Sequence, residues 1–212
     1  MEKISVVYIT KNADKYLAES FSSVKWASEI ILVDDHSSDK TLVIAKKYHV
    51  KVIQKEWMGF ARQKNFAIRQ AKNNWVLSLD ADEGLDQELI DNIKNLDFQP
   101  YDGFNIARKN HFSGKWVRYC GWYPDYQLRL FKKDKMQFEE KQVHERVRSN
   151  GKIGTLSGNI IHYTYSSNQE YFQKLNRYTN LDAQILYQSK RPWSLSYQLG
   201  KPIKEFFEKF FQ

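Results

Sequence analysis

Two acidic clusters stand directly after apolar runs, and their residue types suit cation chemistry. Asp80-Ala81-Asp82-Glu83 follows Trp75-Val76-Leu77-Ser78-Leu79, and Asp34-Asp35-His36-Ser37-Ser38-Asp39 follows Glu29-Ile30-Ile31-Leu32-Val33. Crowded carboxylates are costly unless a cation or a hydrogen-bonding ligand offsets them. At a strand end, alternate residues such as Asp80 and Asp82 can aim two carboxylates at one point. They would offer hard oxygen ligands to Mg²⁺ or Mn²⁺, with phosphate oxygens and water completing an octahedron. An Asp-x-Asp also serves as a solvated turn capping the next helix, and spacing alone leaves both readings open. A third group of this kind, Thr10-Lys11-Asn12, follows the run Ile4-Ser5-Val6-Val7-Tyr8-Ile9.

These groups need elements that bring them together. Residues 4–9, 29–33, 50–54 and 75–79 are short β-branched runs of the kind that form strands buried on both faces. Between and after them, residues 15–24, 39–49, 60–71 and 87–96 read as helices, the second with Asp39 as its N-cap. Alternating strands and helices with short connections imply an α/β fold with a parallel, doubly wound sheet. In such a sheet ligands sit at the carboxyl ends of the strands, where all three groups fall. Beyond residue 100 the texture changes. Residues 103–108 and 127–131 read as strands around an aromatic and basic loop, and residues 169–189 and 202–211 as helices.

Composition narrows the class. The 212 residues carry a net charge of +8, unevenly placed. Residues 1–100 hold 14 Lys and Arg against 15 Asp and Glu, whereas residues 101–212 hold 19 against 10. A basic, aromatic second half could face nucleic acid, anionic lipid or a phosphorylated substrate. No apolar run approaches the roughly 18 residues of a membrane span. The first residues lack a signal-peptide cleavage pattern, and the single cysteine, Cys120, excludes an internal disulfide. The expectation is a cytoplasmic protein. No Gly-x-Gly-x-x-Gly, P-loop or Gly-x-Ser-x-Gly motif is present, and His144-Glu145 is followed by Arg148 where a zinc protease needs its second His. Dehydrogenase, P-loop kinase and serine hydrolase readings fall away.

Taken together, VVYITKN, ILVDDHSSDKT, GFARQKNFAI and WVLSLDADE resemble the family 2 glycosyltransferases, nucleotide-sugar enzymes with a GT-A fold. The later blocks WYPDYQLRLFKK, VHERV and IGTLSGNIIHYTY resemble the branch that adds glucose or a related sugar to the heptose of the lipopolysaccharide inner core. The resemblance implies a mixed, mainly parallel sheet flanked by helices, and a UDP-sugar donor. It implies that Thr10 and Asp34 contact the uracil or ribose, that Asp35 or Asp39 supports that loop, and that Lys64 lies near the nucleotide. Asp82 would ligate the Mg²⁺ or Mn²⁺ bridging the diphosphate, with Asp80 as partner for the donor ribose or sugar. The branch usually has a small residue in place of Asp35 and Gly in place of His36. Family members invert the anomeric centre in one displacement, so a single base suffices. Glu145 in VHERV matches the family's acidic base position, and Asp125 in WYPDY is the second candidate.

The implied partners are therefore a UDP-sugar and a lipid-linked saccharide acceptor, with no nucleic acid. Two other classes stay in view: a sugar nucleotidyltransferase, and a non-catalytic basic module for RNA or anionic lipid. Residues 1–190 are expected to form the glycosyltransferase domain, with a nucleotide-sugar half at 1–100 and an acceptor half at 101–190. Residues 191–212 form a basic and aromatic extension. There Pro202 suits the first turn of a helix, and Ile203, Phe206, Phe207, Phe210 and Phe211 share one side. That stripe would either pack against the domain or a second subunit, or lie peripherally on the inner face of the cytoplasmic membrane. Of the remaining side chains, Trp116, Trp122 and Tyr123 suit sugar stacking or core packing. His144 and His162 suit structural roles or support of the acceptor pocket. Arg129, Lys132 and Lys133 read as a solvated basic edge, with a phosphate contact as the alternative.

Overall fold

The computed structural model describes residues 2–139, 147–149, 151–188 and 194–210. Its first half runs β1 (Ile4–Thr10), α1 (Asp14–Ser23), β2 (Glu29–Asp34), α2 (Thr41–Lys47), β3 (Lys51–Gln54), α3 (Phe60–Arg69), β4 (Trp75–Ser78), β5 (Glu83–Leu85) and α4 (Gln87–Lys94). Then follow β6 (Gly103–Phe112), β7 (Lys115–Trp116), β8 (Asp125–Lys132), β9 (Met136–Phe138), β10 (Val147–Ser149), β11 (Ile153–Tyr165), α5 (Asn168–Gln188) and α6 (Leu195–Phe210).

The main sheet has the order β3-β2-β1-β4-β8-β6-β11-β5, with β7 added to β6. The first four strands are parallel, and β8 joins β4 antiparallel. The chain winds outward from β1 through β2 to β3 and then returns to β1's other side as β4. That reversal makes a topological switch point between β1 and β4. Alternation along these strands explains their two buried faces. Val6, Tyr8, Leu32 and Leu77 join a core with Leu17 and Phe21 of α1 and Leu89 and Ile93 of α4. Val7, Ile31, Val33 and Val76 pack with Ala61, Ala67 and Ile68 of α3. Both sets are essentially sealed from solvent, as β-branched runs in a covered parallel sheet should be.

Two acidic residues anchor helix starts, one of them differently from the local reading. Asp39 is not the N-cap of α2, which is Lys40. One residue further out, Asp39 accepts the Thr41 N–H at 2.9 Å and the Asp14 N–H at 3.1 Å, so one carboxylate ties down the starts of α2 and α1. Asp86 caps α4 by accepting the Leu89 N–H at 3.0 Å and also holds both the backbone and the side-chain amide of Asn159 in β11. Next to it Gly158 has φ +87°, and a Cβ there would lie 2.3 Å from the Leu89 nitrogen. Only glycine lets β11 pass that close to the helix.

The chain divides into two compact units: Met1–Arg108 with Asp125–His162, and Lys109–Pro124 with Tyr163–Gln212. The second unit carries an aromatic cluster in which Tyr165 meets Phe112, Trp122 and Tyr171 at centroid distances of 5.8, 6.4 and 5.1 Å. Glu170 steadies the start of α5. It accepts the Ser166 N–H at 2.9 Å while Ser167 Oγ accepts the Glu170 N–H at 3.2 Å. Pro202 lies inside α6 rather than in its first turn. The helix begins seven residues earlier, so the apolar stripe extends back through Leu199 to Leu195. Leu195, Leu199, Ile203, Phe206 and Phe207 are all more than half exposed. Phe210's side chain and Phe211 lie outside the described residues. Among the described residues no helix is long and apolar enough to cross a membrane.

Candidate active site

Parallel register aligns the three strand-end groups of the first unit. Thr10 and Asp34 are direct neighbours across β1 and β2, and Val7 faces Ser78 across β1 and β4. The Thr10 hydroxyl donates to Asp34 Oδ1 at 3.1 Å, and the Ser37 N–H donates to Asp34 Oδ2 at 2.8 Å. Asp34 is fully buried, so these donors fix its orientation. Asp35 is clasped by Lys11 Nζ at 2.6 Å, a hydrogen bond that holds its carboxyl below the usual carboxylate range. His36 takes φ +48°, the left-handed conformation in which the family branch places glycine. Histidine tolerates it better than most residues.

The Asp-x-Asp turn divides its carboxylates between different partners. Asp80 Oδ1 lies 3.0 Å from Lys64 Nζ, and Oδ2 lies 3.0 Å from an Arg129 nitrogen. Burial alone would raise the Asp80 carboxyl, but these two cations outweigh it and hold it well below the usual range. Asp82 is 35% exposed and faces His162 Nε2 at 3.6 Å. Among the described residues no lysine or arginine lies at salt-bridge distance from its oxygens. Among the described residues no cluster of three or more His, Cys, Asp or Glu could hold a metal alone. That pattern fits a Mg²⁺ or Mn²⁺ held by one carboxylate with the rest of its shell drawn from phosphate oxygens and water.

Sequence reasoning missed the group that organises this site. Glu83, at 0% side-chain exposure, accepts from Arg129 at 2.7 Å and from Arg108 at 3.2 Å. Its other oxygen accepts the Asp80 N–H at 3.0 Å. Arg108 also donates from Nε to Asp125 Oδ2 at 2.8 Å, and Gln127 donates to Asp125 Oδ1 at 2.7 Å. Arg129 is thus a buried bridge, not a solvated edge; burial opposes its charge, and Glu83 and Asp80 stabilise it. Lys132 and Lys133 are not a free edge either. Lys132 pairs with Asp102 at 2.9 Å, and Lys133 donates to the Ala71 carbonyl. The detectable signal was a charged residue between leucines in a central strand, which requires a buried counter-charge.

The remaining candidates separate. Asp125 belongs to this network, with Arg108 on one of its oxygens and Gln127 on the other. Glu145 and His144 lie outside the described residues. The strands flanking that stretch are paired, with Val147 opposite Phe138. Asn65 of α3 anchors the stem by bonding both the N–H and the C=O of Phe138 at 2.8 Å. In the second unit the Trp116 ring is covered by Arg118 at 4.2 Å and Lys109 at 5.0 Å, and Tyr123 meets it edge-on at 5.1 Å. Those cations favour packing over sugar stacking for Trp116.

Strand order and switch point define an α/β fold with ligand positions at its strand ends, and comparison gives the class. The chain belongs to glycosyl transferase family 2, whose model matches residues 5–151. An uncharacterized glycosyltransferase of Rickettsia typhi is 33% identical over 100% of this chain and 77% of its own length. The lipopolysaccharide core biosynthesis glycosyltransferase LpsC of Rhizobium meliloti is 29% identical over 89% of this chain and 74% of its own. The structure of Staphylococcus aureus TarS 1–349 in complex with UDP superposes with a TM-score of 0.59 at 22% identity, covering 81% of this chain and 62% of that one. The chain thus spans less than two thirds of that TarS fragment. The fold is GT-A, and the protein is a family 2 glycosyltransferase enzyme.

Proposed function

We propose that this enzyme transfers a hexose, glucose, from a UDP-sugar to a lipid-linked saccharide such as the lipopolysaccharide inner core, with inversion. The observation that carries the donor side is the split acidic turn. Asp80 is kept ionised by Lys64 and Arg129, while Asp82 stands open beside it. The ionised Asp80 accepts hydrogen bonds from donor hydroxyls, and buried Asp34, bonded by Thr10 and Ser37, fixes the turn that receives the nucleoside. Asp82 would hold a Mg²⁺ or Mn²⁺, whose charge would offset that of a diphosphate leaving group. Glu145 takes the acceptor proton as the hydroxyl attacks, and Asp125 orients the acceptor side. TarS in complex with UDP-GlcNAc supports a UDP-sugar, and the name of LpsC supports an envelope saccharide as acceptor.

The exposed apolar stripe of α6 gives the acceptor's membrane a place to meet the protein. Its Leu, Ile and Phe side chains would enter the lipid interface, aided by the basic balance of residues 101–212. The test of the donor reading is a thermal-shift panel of UDP-, GDP-, CMP- and dTDP-sugars with and without Mn²⁺. A ligand at a hundred times its dissociation constant adds about 2.7 kcal/mol of stability. Stabilisation by UDP-sugars that depends on Mn²⁺ is expected; selective stabilisation by another nucleotide would replace UDP in the reading.

A further inference from the structure

We propose that Glu83 is a positioning residue for transfer: the buried junction that fixes the donor-side carboxylate Asp80 and the Asp125 carboxylate in one rigid arrangement. The inference rests on the reading that Asp80 contacts the donor. Lys64, Asp80, Arg129, Glu83, Arg108 and Asp125 form a chain of alternating charge, each joined to the next at 2.5–3.2 Å. Its three cations and three anions balance, so no member is left as an uncompensated charge. Glu83 stands at the middle and is the most deeply buried of the carboxylates in the chain, at 0% exposure against 33% for Asp80 and 24% for Asp125.

Glu83 grips Asp80 by more than Arg129. Its Oε2 accepts the Asp80 N–H at 3.0 Å, and its own N–H donates to the Asp80 carbonyl at 3.0 Å. Its backbone is fixed in turn, because the Glu83 carbonyl accepts the Ser20 hydroxyl and β5 pairs Glu83 with His162, the residue facing Asp82. Both carboxylates of the Asp-x-Asp turn are thus indexed to this one residue. Without the Glu83 charge, the two guanidinium groups lose their common counter-ion. Arg129 keeps Asp80 and Arg108 keeps Asp125, and nothing ionic joins the two pairs. Displacements of a fraction of an ångström at reacting groups are strongly felt in the rate, less so in binding.

Full-length Glu83→Gln and Glu83→Asp test this. The measurements are UDP affinity in Mn²⁺ by calorimetry, and kcat and KM for UDP release from whichever nucleotide sugar most raises the wild-type Tm. Rates are read at a temperature where circular dichroism shows each variant folded. Glu83→Gln is expected to lower kcat by about 10–100-fold, with UDP affinity and KM changing by less than kcat. Glu83→Asp, which restores the charge, should recover part of that loss. Wild-type kcat in folded Glu83→Gln would overturn the proposal and leave Glu83 a stability residue. Should Glu83→Gln not fold, Arg108→Met cuts only the arm to Asp125, and wild-type kcat there overturns it equally. Failure of the UDP reading shows separately, as a wild-type protein stabilised by a different nucleotide.

Discussion

The two units handle surface of the unexpected type in opposite ways. The first buries charge: Asp34, Lys64, Glu83 and Arg129 are all under a tenth exposed, and each has partners from distant parts of the chain. The second exposes apolar surface: Leu195, Leu199 and Ile203 of α6 are 56–57% exposed on a helix whose described ion pair, Lys204 with Glu208, is local. Buried charge is tolerable only where long-range geometry supplies an exact counter-ion, so the first unit is organised from within. Exposed apolar stripes signal a surface completed by something outside the fold, and a lipid interface is the completion proposed above.

The largest effect should come from the open carboxylate. Asp82→Asn is expected to abolish Mn²⁺-dependent UDP binding in calorimetry while moving stability by no more than about 0.5 kcal/mol, as for a part-exposed side chain. Retained Mn²⁺ dependence would break the division of labour between Asp80 and Asp82. Next, Glu145→Gln should cut turnover by about 10²–10⁴-fold with UDP affinity nearly unchanged, the range for losing a general base. Asp125→Asn should lose less. The reverse order would make Asp125 the base and recast its contacts with Arg108 as activation.

Acid sensitivity should appear in both units. Because the folded Asp80 carboxyl sits below its ordinary value of 3.8, the stability it contributes is complete above that pH and is lost on acidification. In the second unit, burial works to raise Glu170, but the hydrogen bonds from Ser166 outweigh it and bring the carboxyl down to about 2. Its contribution fades as pH falls from about 4.5 toward 2. Urea unfolding at stepped pH should therefore show Asp80→Asn and Glu170→Gln costing stability at pH 6 and progressively less in acid. A penalty independent of pH would remove charge as the cause. The smallest effect on the fold belongs to the paired change Phe206→Ser and Phe207→Ser. It should leave stability within about 0.5 kcal/mol yet weaken co-sedimentation with anionic vesicles. Unchanged vesicle binding would remove the stripe from the membrane proposal.

What could be read in advance followed the range of the forces. The strands expected at 4–9, 29–33 and 75–79 appear as β1, β2 and β4 because runs such as Ile31-Leu32-Val33 bury both faces, a local property. Helices with a clean apolar side, α1, α3 and α4, were likewise legible. β11 was not: Ile153–Tyr165 is broken by Gly154 and Gly158 and mixes polar residues throughout. Only its Ile-Ile-His-Tyr-Thr-Tyr end carried a strand signal. β5 hides in three residues after an acidic run. The strand-end residues Thr10, Asp34, Asp80 and Asp82 were visible as types in place. Their partners were not, because Arg129 is 49 residues from Asp80 and Arg108 is 25 from Glu83.

Ionic strength should separate what mutation cannot. At about 0.15 M salt the screening length is roughly 8 Å, more than twice any link in the Lys64–Asp125 chain, and the buried Glu83 and Arg129 at its centre are screened least. Attraction between a basic surface and anionic headgroups has no such shelter. Raising salt should therefore detach the enzyme from vesicles while leaving its donor turn intact. A salt titration that follows UDP affinity and vesicle binding in parallel then reports on each unit by itself.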